Sequence, residues 1–198
     1  MMPTRKLTAP ALAVALICWA SAIHAQQIEV YFSPRGGCAA AVCRLIDSAT
    51  TSVYVQAYAL THPKITASIH HARQRGLAVA VIVTPTQTSP KASTAPALSA
   101  AGVAVYADNV ERIHHNKIVI VDATHVATGS FNYTISADLK NAENLLIVHD
   151  TATAAIYTRQ FFYHLAHSRR LKTTGSAIFP HAPPRKRSQK QWHVYQVP

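Results

Sequence analysis

Residues 26–170 of this 198-residue chain predict an α/β domain, with a mixed, mostly parallel β-sheet flanked by helices on both faces. Three observations carry that expectation. Short apolar runs rich in valine and isoleucine, such as IEVYFS, SVYVQAYAL, LAVAVIV and NLLIVHD, recur along the chain, and such runs suit buried strands. Amphipathic or alanine-rich stretches of about a dozen residues separate several of them, the spacing of strand–helix–strand units. Hydrophobic residues make up 49% of the chain, enough to cover a sheet on both sides.

The elements follow in order. IEVYFS, from Ile28, is the first strand. The turn Pro34–Gly37 precedes CAAAVCRLIDSA, a helix whose apolar positions recur at helical spacing. SVYVQAYAL is the next strand. Pro63 then opens a helix that runs through HARQRG and stops at Gly76, as a proline just inside a helix start and a glycine just past its end dictate. LAVAVIV is a buried strand, and TPTQTSPKASTAP after it is the loosest segment of the domain. ALSAAG reads as a short helix leading into the strand VAVYA. KIVIVD and HVATGS pair as a hairpin around Ala123-Thr124, NLLIVHD adds a strand, and TATAAIYTRQFFYHLAHSRR closes the domain as an amphipathic helix. No internal repeat is present at any useful period.

The flanks have a different composition. Arg5 and Lys6 precede the apolar LTAPALAVALICWA and the small-residue zone SAIHAQQ, the three parts of a secretory signal peptide spanning residues 1–25. The apolar stretch is short for a membrane span, so the expected destination is the periplasm or the exterior. Cleavage after Ala25 removes Cys18 and leaves Cys38 and Cys43. An oxidising compartment permits a bond between them, while their spacing along a regular helix disfavours it, and the pairing stays open. The formal charge is +11. From Arg169 onward there are seven basic residues and no acid, whereas residues 26–168 hold ten basic and eight acidic residues. The excess therefore sits in a basic C-terminal tail, residues 171–198, whose proline, serine and lysine content suits a flexible arm that attracts polyanions.

The chemistry concentrates in IHHNKIVIVDATHVATGSFNYT, residues 113–134. His115 and Lys117 are two apart and share a face of an extended strand. Ser130 and Asn132 share a face in the same way, and Gly129 permits a close backbone approach. A phosphodiester transition state calls for such a group: a nucleophile, a fixed cation and neutral donors for the non-bridging oxygens. Imidazole can attack phosphorus and, once protonated, can donate to a leaving alkoxide. His114 has the wrong parity and reads as a solvated neighbour. His70-His71 are adjacent on a helix and point about 100° apart, a poor chelate.

At these residues the chain resembles a known family. H115-N-K117-IVIV-D122-ATHVAT-G129-S-F-N132 matches the H-x-K-x4-D-x6-G-S-x-N signature of the phospholipase D superfamily at every position. The stretch from about Ile28 to His167 resembles that superfamily's small periplasmic endonucleases. The resemblance implies the phospholipase D-like fold and a covalent phosphohistidine on His115. It implies phosphate binding by Lys117, Ser130 and Asn132, and a hydrogen bond from the catalytic histidine to the Glu143 carboxylate. Asp122 belongs to the signature and is carried as a catalytic candidate. Its opposite parity to His115 nevertheless points it toward a structural role.

Family members complete the site with a second motif copy, and this chain has one. His62-Pro63-Lys64 is the sole other H-x-K, and Ile69 stands where the aspartate belongs. A homodimer sharing the site across a two-fold axis is therefore expected. The expected activity is hydrolysis of DNA, or RNA, with little sequence preference. The alternatives are phospholipase D-type hydrolysis of phospholipid headgroups, and an idle nucleic-acid-binding protein. No metal and no other cofactor is expected, because two-metal nucleases need clustered carboxylates and the eight acids left after signal cleavage are spread along the chain.

Overall fold

A computed structural model describes residues 27–172. The expected signal peptide, and the basic tail beyond Lys172, lie outside the described residues. Eight strands form one sheet in the order β1-β7-β6-β5-β2-β3-β4-β8. The strands are β1 (Gln27–Ser33), β2 (Ser52–Ala57), β3 (Ala78–Val83), β4 (Ala104–Ala107), β5 (Lys117–Val121), β6 (His125–Gly129), β7 (Glu143–His149) and β8 (Arg169–Arg170). The helices are α1 (Cys38–Asp47), α2 (Pro63–Gln74), α3 (Ala95–Ala100), α4 (Ile135–Leu139) and α5 (Thr151–His167).

The sheet is mixed, but the expected predominance of parallel pairs is corrected. Only β2–β3 and β3–β4 are parallel, and the other five pairs are antiparallel. Parallel neighbours need a crossover of a dozen or more residues, and α2 and α3 supply the two crossovers. After β4 the chain has no such helix before β5, and β5 turns straight back into β6. Three residues, 122–124, close that hairpin: the Thr124 amide donates to the Val121 carbonyl at 3.0 Å, and Asp122 and Ala123 have φ of 54° and 53°, the consecutive left-handed pair such a turn needs.

Alternation along the strands builds two cores. On β5, Val119 and Val121 face the layer of α1, α2 and α3, whereas Ile118 and Ile120 face α5. The first core is large and includes Ile46, Leu60, Ile65, Leu98 and Tyr133, all fully buried. The second is smaller, and Phe161 anchors it by stacking on Tyr54 at 4.9 Å between ring centroids. Phe162 and Tyr163, next along α5, are 45% and 61% exposed. Cys38 and Cys43 are both buried on α1 and are not joined to each other.

One irregular junction positions the functional face. After β2, the Thr61 and His62 amides donate to the Tyr133 carbonyl at 2.9 and 2.8 Å, and the Tyr133 amide donates to the Ala59 carbonyl at 3.1 Å. The end of β2 is thereby fixed to the segment following β6.

Candidate active site

The signature residues collect where β5 begins and β6 ends. The register pairs Ala57 with Lys117 and Gly129 with Leu145, and it pairs Ser33 with Glu143 at the start of β7. Gly129 (φ 150°) has no side chain for a physical reason, because a Cβ there would collide with the Asn144 carbonyl. That contact brings the Ser130 side chain beside Glu143.

His115 and Lys117 meet. The Lys117 ammonium donates to His115 Nδ1 at 3.0 Å and to the His115 carbonyl at 2.7 Å, and it lies 3.5 Å from Nε2. An ammonium can only donate, so the imidazole nitrogen it faces presents a lone pair. Lys117 is buried, and burial holds its pKa below the usual lysine range, with Glu143 opposing that shift by charge attraction. Tyr58 closes the other side. Its ring centroid lies 4.3 Å from that of His115 and 4.9 Å from the Lys117 nitrogen, within range of a cation–π contact. Tyr58 went unnoticed in the sequence, although the pairing of its strand with the motif strand would have placed it there.

Glu143 takes different partners from the expected one. It accepts a hydrogen bond from Ser130 Oγ at 2.7 Å and another from Asn141 Nδ2 at 3.2 Å, and neither comes from His115. Ser130 Oγ in turn accepts from the Asn144 amide at 3.1 Å. Asn132 Oδ1 is buried with no hydrogen-bond partner among the described residues. His62 caps α2 and approaches Asp138 at 3.7 Å, a structural contact.

Asp122 is corrected from catalytic candidate to structural anchor. It sits at the far end of β5 from His115. Its carboxylate accepts from the Thr50, Thr51 and Ser52 amides at 2.8–2.9 Å and from both threonine hydroxyls. Partial burial pushes its pKa upward, but these donors outweigh that and hold it well below the usual carboxylate range. A depressed folded pKa stabilises above the unfolded value of about 3.9 and ceases to do so as pH falls through the folded value. Asp122→Asn is therefore expected to cost about 2 kcal/mol at pH 7, the exposed bonds discounted. That lowers the unfolding midpoint by about 4–8 °C. In thermal melts the gap to the parent chain should narrow from pH 5 toward pH 2, and a gap independent of pH would refute the anchor.

His114 is also corrected. It is 2% exposed, and its Nδ1 lies 3.0 Å from Asp108 Oδ2. Burial lowers its pKa, with Asp108 opposing. Strand parity failed here because residues 108–116 are a loop rather than an extension of β5. An open groove of about 500 Å³ runs along this loop, lined by Ile113, His115 and Asn116 on one side and by Ile156, Tyr157 and Gln160 of α5 on the other.

A mixed sheet between helical layers, with an imidazole and an ammonium in contact beside serine and asparagine side chains, defines a phosphodiesterase. Residues 42–165 match the family described as "Cardiolipin synthase, PLD-like domain", and the chain belongs to the phospholipase D superfamily. It is 35% identical over 158 residues to a protein named phospholipase D of Rickettsia prowazekii, covering 80% of this chain and 74% of that one. It is 32% identical over 117 residues to a mitochondrial cardiolipin hydrolase of Xenopus tropicalis, covering 59% and 56%. Among solved structures, Nuc of Salmonella typhimurium, a phospholipase D family member, superposes with a TM-score of 0.70 at 30% identity over 74% of this chain and 99% of that one.

Proposed function

We propose that the chain hydrolyses DNA phosphodiesters with little sequence preference, through a covalent phosphohistidine and without a metal ion in the chemical step. The observation that carries this reading is the Lys117 ammonium held 3.0 Å from His115 Nδ1. It provides a fixed positive charge where a phosphate arrives and an imidazole beside it. In the first step a His115 nitrogen attacks phosphorus and the bond to the leaving oxygen breaks. The His115 of a second copy gives that oxygen its proton. In the second step the same partner imidazole takes a proton from water, whose oxygen displaces His115 from phosphorus.

The single motif copy supports a two-fold dimer as the working unit. Around the groove, Val110, Ile113 and Ile156 are 65%, 50% and 58% exposed, an apolar rim suited to a second copy. The signal-like leader supports work in the periplasm or outside the cell, and the basic tail supports a polyanionic substrate.

A second reading has a specific support. The relatives named phospholipase D and cardiolipin hydrolase point to phospholipid headgroups, which present the same phosphodiester. The experiment incubates residues 26–198 with supercoiled plasmid in excess chelator, and in parallel with phosphatidylcholine and cardiolipin vesicles. Nicking in chelator with intact vesicles is the expected result. Headgroup release without nicking would transfer the assignment to phospholipids, and inactivity on both would overturn the reading.

A further inference from the structure

Glu111 and His164 line the same groove as His115, and they belong to a group of side chains that phosphoryl transfer does not use. Asp108 follows β4, Glu111 lies further along the loop, and His164 and His167 lie one turn apart on the last turns of α5. One donor atom from each falls within 4.8 Å of all the others. We propose that Asp108, Glu111, His164 and His167 bind a divalent cation of the zinc class, which fastens α5 to the loop leading into His115.

The distances match the chemistry. Zinc bound at 2.0–2.2 Å by four nitrogen and oxygen ligands sets them about 3.3–3.6 Å apart on a tetrahedron. His167 Nε2 lies 3.4 Å from Asp108 Oδ1 and 3.4 Å from Glu111 Oε2. His164 Nδ1 lies 3.6 Å from Glu111 Oε1. The 2.9 Å approach of His164 Nδ1 to Asp108 Oδ2 must widen, and each carboxylate must settle on one oxygen, because these contacts to the two imidazoles use different ones. Two carboxylates and two neutral imidazoles balance a doubly charged ion, and this mixed donor set suits zinc better than calcium or magnesium.

Two further observations point to a ligand. Glu111 Oε2 is buried with no hydrogen-bond partner among the described residues and faces His167 Nε2 at 3.4 Å, which leaves this carboxylate oxygen undersatisfied. Outer contacts that orient metal ligands are also in place. Asp108 is fully buried and receives the Val110 amide at 3.2 Å and His114 at 3.0 Å. Gln160 Nε2 lies 3.0 Å from His164 Nε2, and turning that amide lets its carbonyl accept the Nε2 proton while Nδ1 faces the ion. Neither His115 nor Lys117 is a ligand, so the ion is structural and the chemical step needs none.

The test uses the full processed chain, stripped with chelator, dialysed and titrated with zinc or cobalt(II). The expected results are one equivalent bound per chain, visible absorption of tetrahedral cobalt, and an unfolding midpoint raised by about 5–10 °C at a hundredfold excess over Kd. Glu111→Gln and His167→Gln, at partly exposed positions that keep the fold, should each weaken binding tenfold or more. His149→Gln, in a separate histidine pair with His125, should leave binding unchanged. No bound equivalent, or binding unaltered in the Glu111 and His167 variants, would overturn the site. Loss of binding in the His149 variant instead would do the same.

Discussion

His115→Asn is expected to reduce turnover by a factor on the order of 10⁴–10⁶, the loss seen when a covalent nucleophile is removed from an otherwise intact site. Asparagine keeps a polar group near the Lys117 ammonium, so the pocket is not left with an uncompensated charge and the fold should survive. The deeper signature is the intermediate. A phosphoimidazole resists alkali, so parent enzyme quenched in base during turnover should carry end-labelled DNA on the protein, and the variant should carry none. The proposed sharing of the site between two copies adds a third readout. If each reaction uses both copies of His115, parent and variant chains re-paired at random in equal amounts retain about a quarter of the parental activity, because about a quarter of pairs are parent–parent. Retention of about half would mean that each subunit works alone, and label on the variant would move the nucleophile elsewhere.

Lys117→Met has the second largest expected effect, a loss of about 10²–10³ in kcat, typical of removing one preorganised charge from a transition state. Methionine preserves the volume of the buried stem, and removing a desolvated charge should leave the unfolding midpoint unchanged or raised. Stability and activity should therefore part company in this variant. Lys117→Arg should not restore activity, because a planar guanidinium cannot take the place of a compact ammonium bonded to His115 beside the Tyr58 ring. The alkaline limb of the pH profile carries the sign. Burial lowers the Lys117 pKa and Glu143 opposes it, so activity should fall below the ordinary lysine range as the ammonium is lost. Glu143→Gln should move that fall lower still, and a shift upward would contradict the electrostatics described.

Much of this site was legible because its members are close in sequence. Fixed gaps place His115 and Lys117 at the head of one strand and Ser130 and Asn132 just past the end of the next, the two joined by a tight turn, and valine-rich runs identify those strands. What escaped reading depends on distance along the chain or on irregular backbone. Tyr58 reaches His115 only through the β2–β5 register. His114 was misjudged by a parity argument that needs a strand where the chain forms a loop. Asp108 and Glu111 lie more than fifty residues from His164 and His167, so nothing local shows that they converge. The direction of β5 was missed for a related reason, since valine and isoleucine runs fill parallel and antiparallel central strands alike.

The two faces of the sheet are held very unequally. Among the described residues four helices shield one side, whereas α5 alone shields the other, and Ala154, Phe161 and His164 are its only buried residues. Opening α5 would uncover Ile82, Ile118, Ile120 and Val126 together, so one helix, with few anchors of its own, seals an entire face of the sheet. It is also one wall of the groove beside His115. The shape of the groove at the catalytic end of the sheet is thus coupled to the second core, and whatever fastens α5 holds both in place at once.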